Sequence, residues 1–108
     1  MIRRIYVDDL RDPDFIHSHL DTRIARTYTE AIHLIEVFTN SGDDIILDLD
    51  HDLGETKTGY DIAKYIVSNH LPLLGFHLHT ANTVGYFNMK QLLEHYGYEK
   101  LTHFDKIG

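Results

Sequence analysis

The 108-residue sequence has no cysteine, only two prolines and no long apolar run. The absence of cysteine excludes disulfide frameworks, thiolate metal sites and cysteine nucleophiles. No apolar run approaches the roughly 18 residues of a membrane span, and the N-terminus lacks the apolar segment of a signal peptide. We therefore expect a cytoplasmic protein, and residues 1–108 fit a single domain.

Motifs of common enzyme classes and basic side chains are also scarce. The chain has no serine-nucleophile elbow, P-loop, HExxH motif or Rossmann glycine fingerprint, so a nucleotide cofactor is not expected. There are 10 lysines and arginines against 17 aspartates and glutamates, which gives a formal net charge of −7. Binding to duplex nucleic acid requires a basic surface, and this balance argues against it.

The acidic residues that are present concentrate in one segment. Seven of them lie between Asp43 and Asp61, where the only lysine or arginine is Lys57. Such a concentration of carboxylates is one way to build a cation site. The 9 histidines are the second unusual feature, and they favour acid–base or metal chemistry.

Strand-forming runs and amphipathic helical segments alternate along the chain. We predict strands over 2–7, 22–27, 44–50 and 73–80, helices over 29–39, 60–69 and 86–96, and a short further strand over 101–104. This alternation predicts βα units and a right-handed parallel sheet. The expected fold is therefore α/β, with a parallel sheet of four or five strands.

Polar residues follow three of the predicted strands. Asp8 and Asp9 end the first strand, residues 50–52 end the third, and residues 79–82 end the fourth. Ligands of open α/β sheets bind beyond the carboxyl ends of the strands. Segments that are far apart in the sequence are therefore predicted to bring polar groups to one edge of the sheet.

Asp8, Asp9 and Asp50 are candidate ligands of a divalent cation. Adjacent strand residues face opposite sides of a sheet, but at a frayed strand end Asp8 and Asp9 can both turn toward one ion. Asp50 would add a third oxygen, and Mg²⁺ typically takes one or two carboxylates and keeps several waters. The alternative is that these acids cap turns, where aspartate is common.

His51 and His79 are candidates for proton transfer. His51 lies between Asp50 and Asp52, where a protonated imidazole would suit a general acid. His77 and His79 share one side of a strand, and such a pair is a metal clamp, a pair for cyclic-phosphodiester chemistry, or two packed histidines. We expect packing for His77 and a functional role for His79.

Four further polar residues have two interpretations each. Thr80 and Asn82 suit phosphate oxygens at the start of the last helix, or they cap that helix. Lys57 neutralises a phosphate, or it is solvated. Asp48 is not assigned any chemistry; it lies at the sheet edge or bonds to an arginine or a tyrosine.

Five stretches resemble the cyclic-phosphate processing receiver domain family, an atypical relative of response-regulator receivers. They are YVDDLR at 6–11, RTYTEA at 26–31, LDHDLG at 49–54, KTGYD at 57–61 and HLHTAN at 77–82, in the expected order. The resemblance implies a small receiver-like, flavodoxin-like domain with three layers. The sequence departs from the family pattern in three ways: Asp48 is an extra acid, Thr80 and Thr83 replace the usual serine and proline, and only Lys106 is a nominal counterpart of the receiver lysine.

The resemblance also implies a function and supports the acidic cation pocket. The protein is expected to be a metal-assisted phosphoesterase that processes a cyclic phosphate, either a cyclic nucleotide or a 2′,3′-cyclic-phosphate end. Asp8, Asp9 and Asp50 would hold Mg²⁺ or Mn²⁺, His51 and His79 would act as acid and base, and covalent attack by Asp50 is a second route. The alternative is a non-catalytic receiver-like module that binds a protein partner or sequesters a nucleotide.

Overall fold

The computed structural model describes residues 1–13 and 20–102. Four strands, all parallel, form one sheet in the order β2-β1-β3-β4. The strands are β1 (Ile2–Val7), β2 (Asp21–Ala25), β3 (Asp44–Leu49) and β4 (Gly75–Leu78), and the helices are α1 (Tyr28–Asn40), α2 (Gly59–Ser68) and α3 (Thr83–His95). This arrangement confirms the predicted α/β domain with a parallel sheet, in its four-stranded form.

The three helices pack on the same face of the sheet. The connections β2-α1-β3 and β3-α2-β4 advance in the same direction across the sheet, and right-handed connections of this kind place their helices on one face. Alternate strand residues pack against these helices in one apolar core, which includes Leu47, Phe76, Ile35, Ile66 and Met89. Of the three predicted layers, the described residues show two, the sheet and the layer of helices.

The opposite face of the sheet carries polar side chains at its centre. Side chains alternate between the faces of a strand, so Arg4, Tyr6, Asp48 and His77 lie on the side away from the core helices. The strand register pairs Tyr6 with Asp48 and Asp48 with His77. Asp48 is fully buried in the central strand β3, so it does not lie at the sheet edge.

Three elements of the C-terminal part differ from the prediction, and the first is β4, which spans Gly75–Leu78 rather than 73–80. Helix α3 begins at Thr83 rather than 86, because Asn82 caps its first turn. The fifth strand predicted over 101–104 is represented by a single parallel bridge between Phe76 and Lys100, and residues 103 and 104 lie outside the described part of the chain. No helix in the described ranges is long and apolar enough to cross a membrane.

Candidate functional site

The carboxyl ends of three parallel strands bring Asp8, Asp50 and His79 together. Asp8 directly follows β1, Asp50 directly follows β3, and His79 directly follows β4. One ligand atom from each of the three residues lies within 4.8 Å of the others. Both carboxylates are buried, with exposed fractions of 1% for Asp8 and 8% for Asp50. The structure therefore assembles at one edge three residues that are far apart in the sequence.

Asp8 is held by a turn at the end of β1. Its Oδ1 accepts hydrogen bonds from the backbone amides of Leu10 (2.9 Å) and Arg11 (2.8 Å), and its Oδ2 accepts one from Arg11 Nε (2.9 Å). Burial alone would raise the pKa of Asp8, but the amides of Arg11 and Leu10 and the Arg11 guanidinium together lower it. Asp8 is therefore a fixed, ionised carboxylate.

Arg11 is a functional candidate that was not identified from the sequence. Its Nη2 lies 3.5 Å from Asp50 Oδ2 and donates a hydrogen bond to the His79 carbonyl at 3.0 Å. Its guanidinium thus spans the ends of all three strands, while the side chain remains 54% exposed. The signal in the sequence is the spacing of three residues from Asp8, which allows the two side chains to pair within one turn.

The donor set fits a divalent cation of the Mg²⁺ type. Asp8 and Asp50 offer hard carboxylate oxygens, which Mg²⁺ and Mn²⁺ prefer. Arg11 now supplies the positive charge between these two carboxylates, so a cation would have to displace it. Because most of its surface faces solvent, Arg11 can turn away without disturbing the core.

Asp9 lies apart from this group. Its carboxylate is beside Gly54: a Cβ atom at Gly54 would stand 2.9 Å from Asp9 Oδ2, and the φ of +68° at Gly54 also favours glycine. The ligand atoms that come together belong to Asp8, Asp50 and His79. Of the three predicted metal ligands, the structure thus groups Asp8 and Asp50 and places Asp9 elsewhere, as strand alternation requires.

Replacing Arg11 by alanine is expected to increase the affinity for divalent cations. The substitution removes the positive charge that competes for Asp8 and Asp50, and we expect the dissociation constant for Mn²⁺ to fall roughly 3- to 10-fold. Calorimetric titration with Mn²⁺ measures this effect. Arg23→Ala is the matched control, because Arg23 pairs with Asp21 on β2 and its loss should leave the affinity unchanged. Unchanged or weaker Mn²⁺ binding by Arg11→Ala protein would contradict a competition between Arg11 and the cation for Asp8 and Asp50.

His79 is enclosed by two carboxylates and an aromatic ring. Its Nδ1 lies 2.6 Å from Asp48 Oδ1, its Nε2 lies 3.1 Å from Asp8 Oδ2, and its ring stacks on Tyr6 with the centroids 4.3 Å apart. Both ring nitrogens are therefore engaged. Because neither nitrogen is left to face a ligand, His79 is better suited to holding Asp8 in place than to reacting with a ligand.

Asp48 anchors a buried ionic network behind the site. Its Oδ2 accepts two hydrogen bonds from Arg4, from Nη2 at 2.7 Å and Nε at 3.1 Å, and its Oδ1 faces Nδ1 of both His77 (2.9 Å) and His79. Burial would raise the pKa of Asp48, but hydrogen bonds from His77 and His79 lower it well below its usual value. Of the alternatives considered for Asp48, the structure shows pairing with arginine.

His51 and Asp52 form a second pair at the same edge. His51 Nδ1 lies 3.0 Å from Asp52 Oδ1, and this hydrogen bond is the main cause of the lowered pKa of Asp52. The His51 ring packs against the start of α3, where a Cβ atom at Gly85 would stand 2.4 Å from its Cγ. Nε2 has no hydrogen-bond partner among residues 1–13 and 20–102. His51 is thus oriented at one nitrogen and available at the other.

The predicted phosphate-binding residues mainly make local contacts. The Thr80 hydroxyl accepts a hydrogen bond from the Asn82 amide, and Asn82 Oδ1 accepts one from the Gly85 amide, which caps α3. The Asn82 side-chain amide also donates to Asp52 Oδ2 at 3.2 Å. Lys57 Nζ lies 5.3 Å from the Tyr28 ring centroid. Lys106 lies outside the described residues.

Comparison with known protein families identifies a family for most of the chain. The family model of the cyclic-phosphate processing receiver domain matches residues 3–95. That range contains every site residue described above. No curated protein and no solved structure matches significantly. On the strength of this match over most of its length, the chain belongs to the cyclic-phosphate processing receiver domain family.

Proposed function

We propose that this protein hydrolyses a cyclic phosphate ester with a divalent cation held by Asp8 and Asp50. The observation that carries the proposal is that two buried carboxylates, Asp8 and Asp50, lie at the same edge of the sheet as His51, whose ring Asp52 orients. The backbone links these groups, since the His51 amide donates a hydrogen bond to Asp50 Oδ1 at 2.8 Å. Membership of a family described by cyclic-phosphate processing supports the same class of substrate.

The cation would supply charge neutralisation at the phosphate and a water of lowered pKa. The chain itself would handle the protons. In hydrolysis, a water oxygen bonds to phosphorus and the water loses a proton, one ring P–O bond breaks, and the departing oxygen takes up the proton that the water has lost. His51 Nε2 is the available group for this transfer, because Asp52 holds the ring at Nδ1. Arg11, released from the carboxylates, would pair with the anionic phosphate oxygens.

His79 and Asp48 would act as support for this site. Asp8 must keep its position whether Arg11 or a cation lies beside it, and the His79 ring, stacked on Tyr6, contacts its Oδ2. Asp48 in turn fixes the orientation of His79 through Nδ1. This arrangement assigns direct chemistry to His51 and positioning to His79.

A substrate panel tests the proposal. The protein is incubated with 3′,5′-cyclic mononucleotides, cyclic dinucleotides and oligonucleotides ending in a 2′,3′-cyclic phosphate, with Mg²⁺, Mn²⁺ or chelator. Phosphorus NMR detects ring opening, because cyclic and linear phosphate esters have different chemical shifts. We expect turnover of at least one class with metal and none with chelator. Absence of turnover across the panel with Mn²⁺ present would contradict the proposal.

A non-catalytic binding module is the second candidate. The observation that favours it is the bridging of Asp8 and Asp50 by Arg11, which neutralises the pocket without any cation. A module of this kind would bind a small phosphorylated ligand through Arg11 and leave it intact. Calorimetric binding of a panel member without turnover, and with the same affinity in chelator, would favour this candidate over the phosphoesterase.

A further inference from the structure

We propose a second metal site, formed by Asp48, His77 and His79 on the sheet face opposite the helices and suited to a transition-metal ion such as Zn²⁺. It differs from the cation pocket of the proposed function in position and in ligand type. The two groups share His79, whereas Asp48 and His77 belong to this group alone and Asp8 and Asp50 belong to the other. The proposal does not depend on catalysis.

The register of β3 and β4 places the three ligands side by side. Asp48 and His77 are direct partners across the two strands, and His79 follows His77 with the same orientation. Nδ1 of His77 and Nδ1 of His79 lie 2.9 and 2.6 Å from the same oxygen, Asp48 Oδ1. All three ligand atoms lie within 4.8 Å of one another.

Two imidazole nitrogens and one carboxylate oxygen form a donor set typical of Zn²⁺. Such an ion binds these atoms at about 2.0–2.2 Å, so the ligands of a tetrahedral site stand about 3.3 Å apart. Asp48 Oδ1 is slightly closer than this to each of the two Nδ1 atoms, and the two Nδ1 atoms lie within 4.8 Å of each other. Ring rotations that lengthen the two contacts with Asp48 by less than an ångström would therefore admit an ion without a change in the sheet.

The surroundings of the group are those of a metal site. A histidine that binds a metal commonly donates its other ring N–H to a carboxylate, and its carboxylate co-ligands are themselves hydrogen-bonded. His79 Nε2 lies 3.1 Å from Asp8 Oδ2. Arg4 donates two hydrogen bonds to Oδ2 of Asp48, the oxygen that the histidines do not contact. Both outer contacts are thus in place around the three ligand atoms.

A metal on Nδ1 also fits the hydrogen-bond pattern of His79. This ring faces a carboxylate at each nitrogen. With a metal at Nδ1, a neutral imidazole satisfies both sides, because Nδ1 is the ligand and Nε2 carries the hydrogen that Asp8 accepts. Solvent reaches the group past His77, whose side chain is 34% exposed while that of Asp48 is 1% exposed. Water can therefore complete the coordination shell.

Metal titrations of matched variants test the second site. Zn²⁺ binding is measured by calorimetry, and Co²⁺ binding by the visible absorption of a nitrogen-ligated ion. We expect His77→Ala to weaken binding at this site by roughly 100-fold or more, since loss of even a partner of a ligand costs about 10- to 100-fold. Asp50→Asn should retain the site. His33→Ala is the matched control, because His33 is an exposed histidine on α1.

Each outcome of the titrations has one interpretation. Weaker Zn²⁺ binding in His77→Ala protein, together with unchanged Zn²⁺ binding in Asp50→Asn protein, supports the second site. Unchanged Zn²⁺ binding in His77→Ala protein, or loss only in Asp50→Asn protein, overturns it. If His77→Ala protein does not give the wild-type unfolding transition, nitrogen-15 NMR of the wild-type imidazoles replaces it. Zn²⁺ should then shift the Nδ1 signals of His77 and His79, and an unshifted His77 signal would overturn the proposal.

Discussion

Asp48→Ala is expected to lower the free energy of unfolding by about 3–5 kcal/mol, the usual cost of removing one partner from a buried ion pair. Asp48 is fully buried, and Arg4 is only 2% exposed. The substitution leaves the Arg4 guanidinium and the hydrogen-bonding groups of His77 and His79 without their common acceptor. Much of the loss is the cost of keeping the Arg4 charge buried without the Asp48 carboxylate, in addition to the hydrogen bonds removed.

Urea unfolding followed by circular dichroism measures this loss. Asp12→Ala is the matched control, because Asp12 pairs with Arg26 at the surface, and exposed pairs contribute about 0–1 kcal/mol. Replacing Arg4 and Asp48 together with leucine should restore part of the stability, since both charges of the buried pair are then removed. A loss below 1 kcal/mol for Asp48→Ala would show that the network does not stabilise the sheet.

His51→Ala is expected to reduce the turnover of the cyclic phosphate about 10²- to 10⁴-fold, the usual contribution of a positioned acid or base. His51 is the histidine at the site whose Nε2 is not engaged by another described residue, and Asp52 orients its ring through Nδ1. The effect should appear in kcat more than in KM, because proton transfer occurs in the transition state.

Gly85→Ala tests the position of His51 while leaving the residue itself in place. A Cβ atom at Gly85 would stand 2.4 Å from His51 Cγ, so the ring would have to move. Alanine has a higher helix propensity than glycine by about 1 kcal/mol, so helix α3 itself is not weakened. Steady-state kinetics should show reduced kcat for both His51→Ala and Gly85→Ala. Wild-type turnover in both variants would remove His51 from the mechanism.

The convergence at the sheet edge could be predicted from the sequence, because it depends on topology alone. Asp8, Asp50 and His79 each follow a strand, and parallel strands end at the same edge of a sheet. Their close approach also requires β3 to lie between β1 and β4, as it does here. Asp9 shows the limit of this argument. Two adjacent residues at a strand end turn together only if the following turn allows it, and here the turn is fixed around Asp8 by the amides of Leu10 and Arg11.

The role of Asp48 could not be predicted in the same way. An acid within an apolar strand signals a buried partner, but the partner depends on which strands are neighbours and on their register. Arg4 lies on β1, His77 lies on β4, and His79 directly follows β4. Only the order β1-β3-β4 places these three side chains around Asp48. Likewise, the three-residue spacing of Arg11 from Asp8 does not reveal that its guanidinium also reaches Asp50 and the His79 carbonyl.

The cation dependence of turnover tests the central claim most directly. Ring opening of the cyclic phosphate is followed by phosphorus NMR over a range of Mn²⁺ concentrations, in wild-type and Asp50→Asn protein. The substitution keeps the shape of the side chain and removes its charge. We predict saturable activation of the wild type by Mn²⁺, complete loss of turnover in chelator, and at least a 100-fold lower rate in Asp50→Asn protein, of the order expected for loss of a charged group that acts in the transition state. Equal rates in the two proteins, unaffected by chelator, would contradict a cation-assisted phosphoesterase at this edge of the sheet.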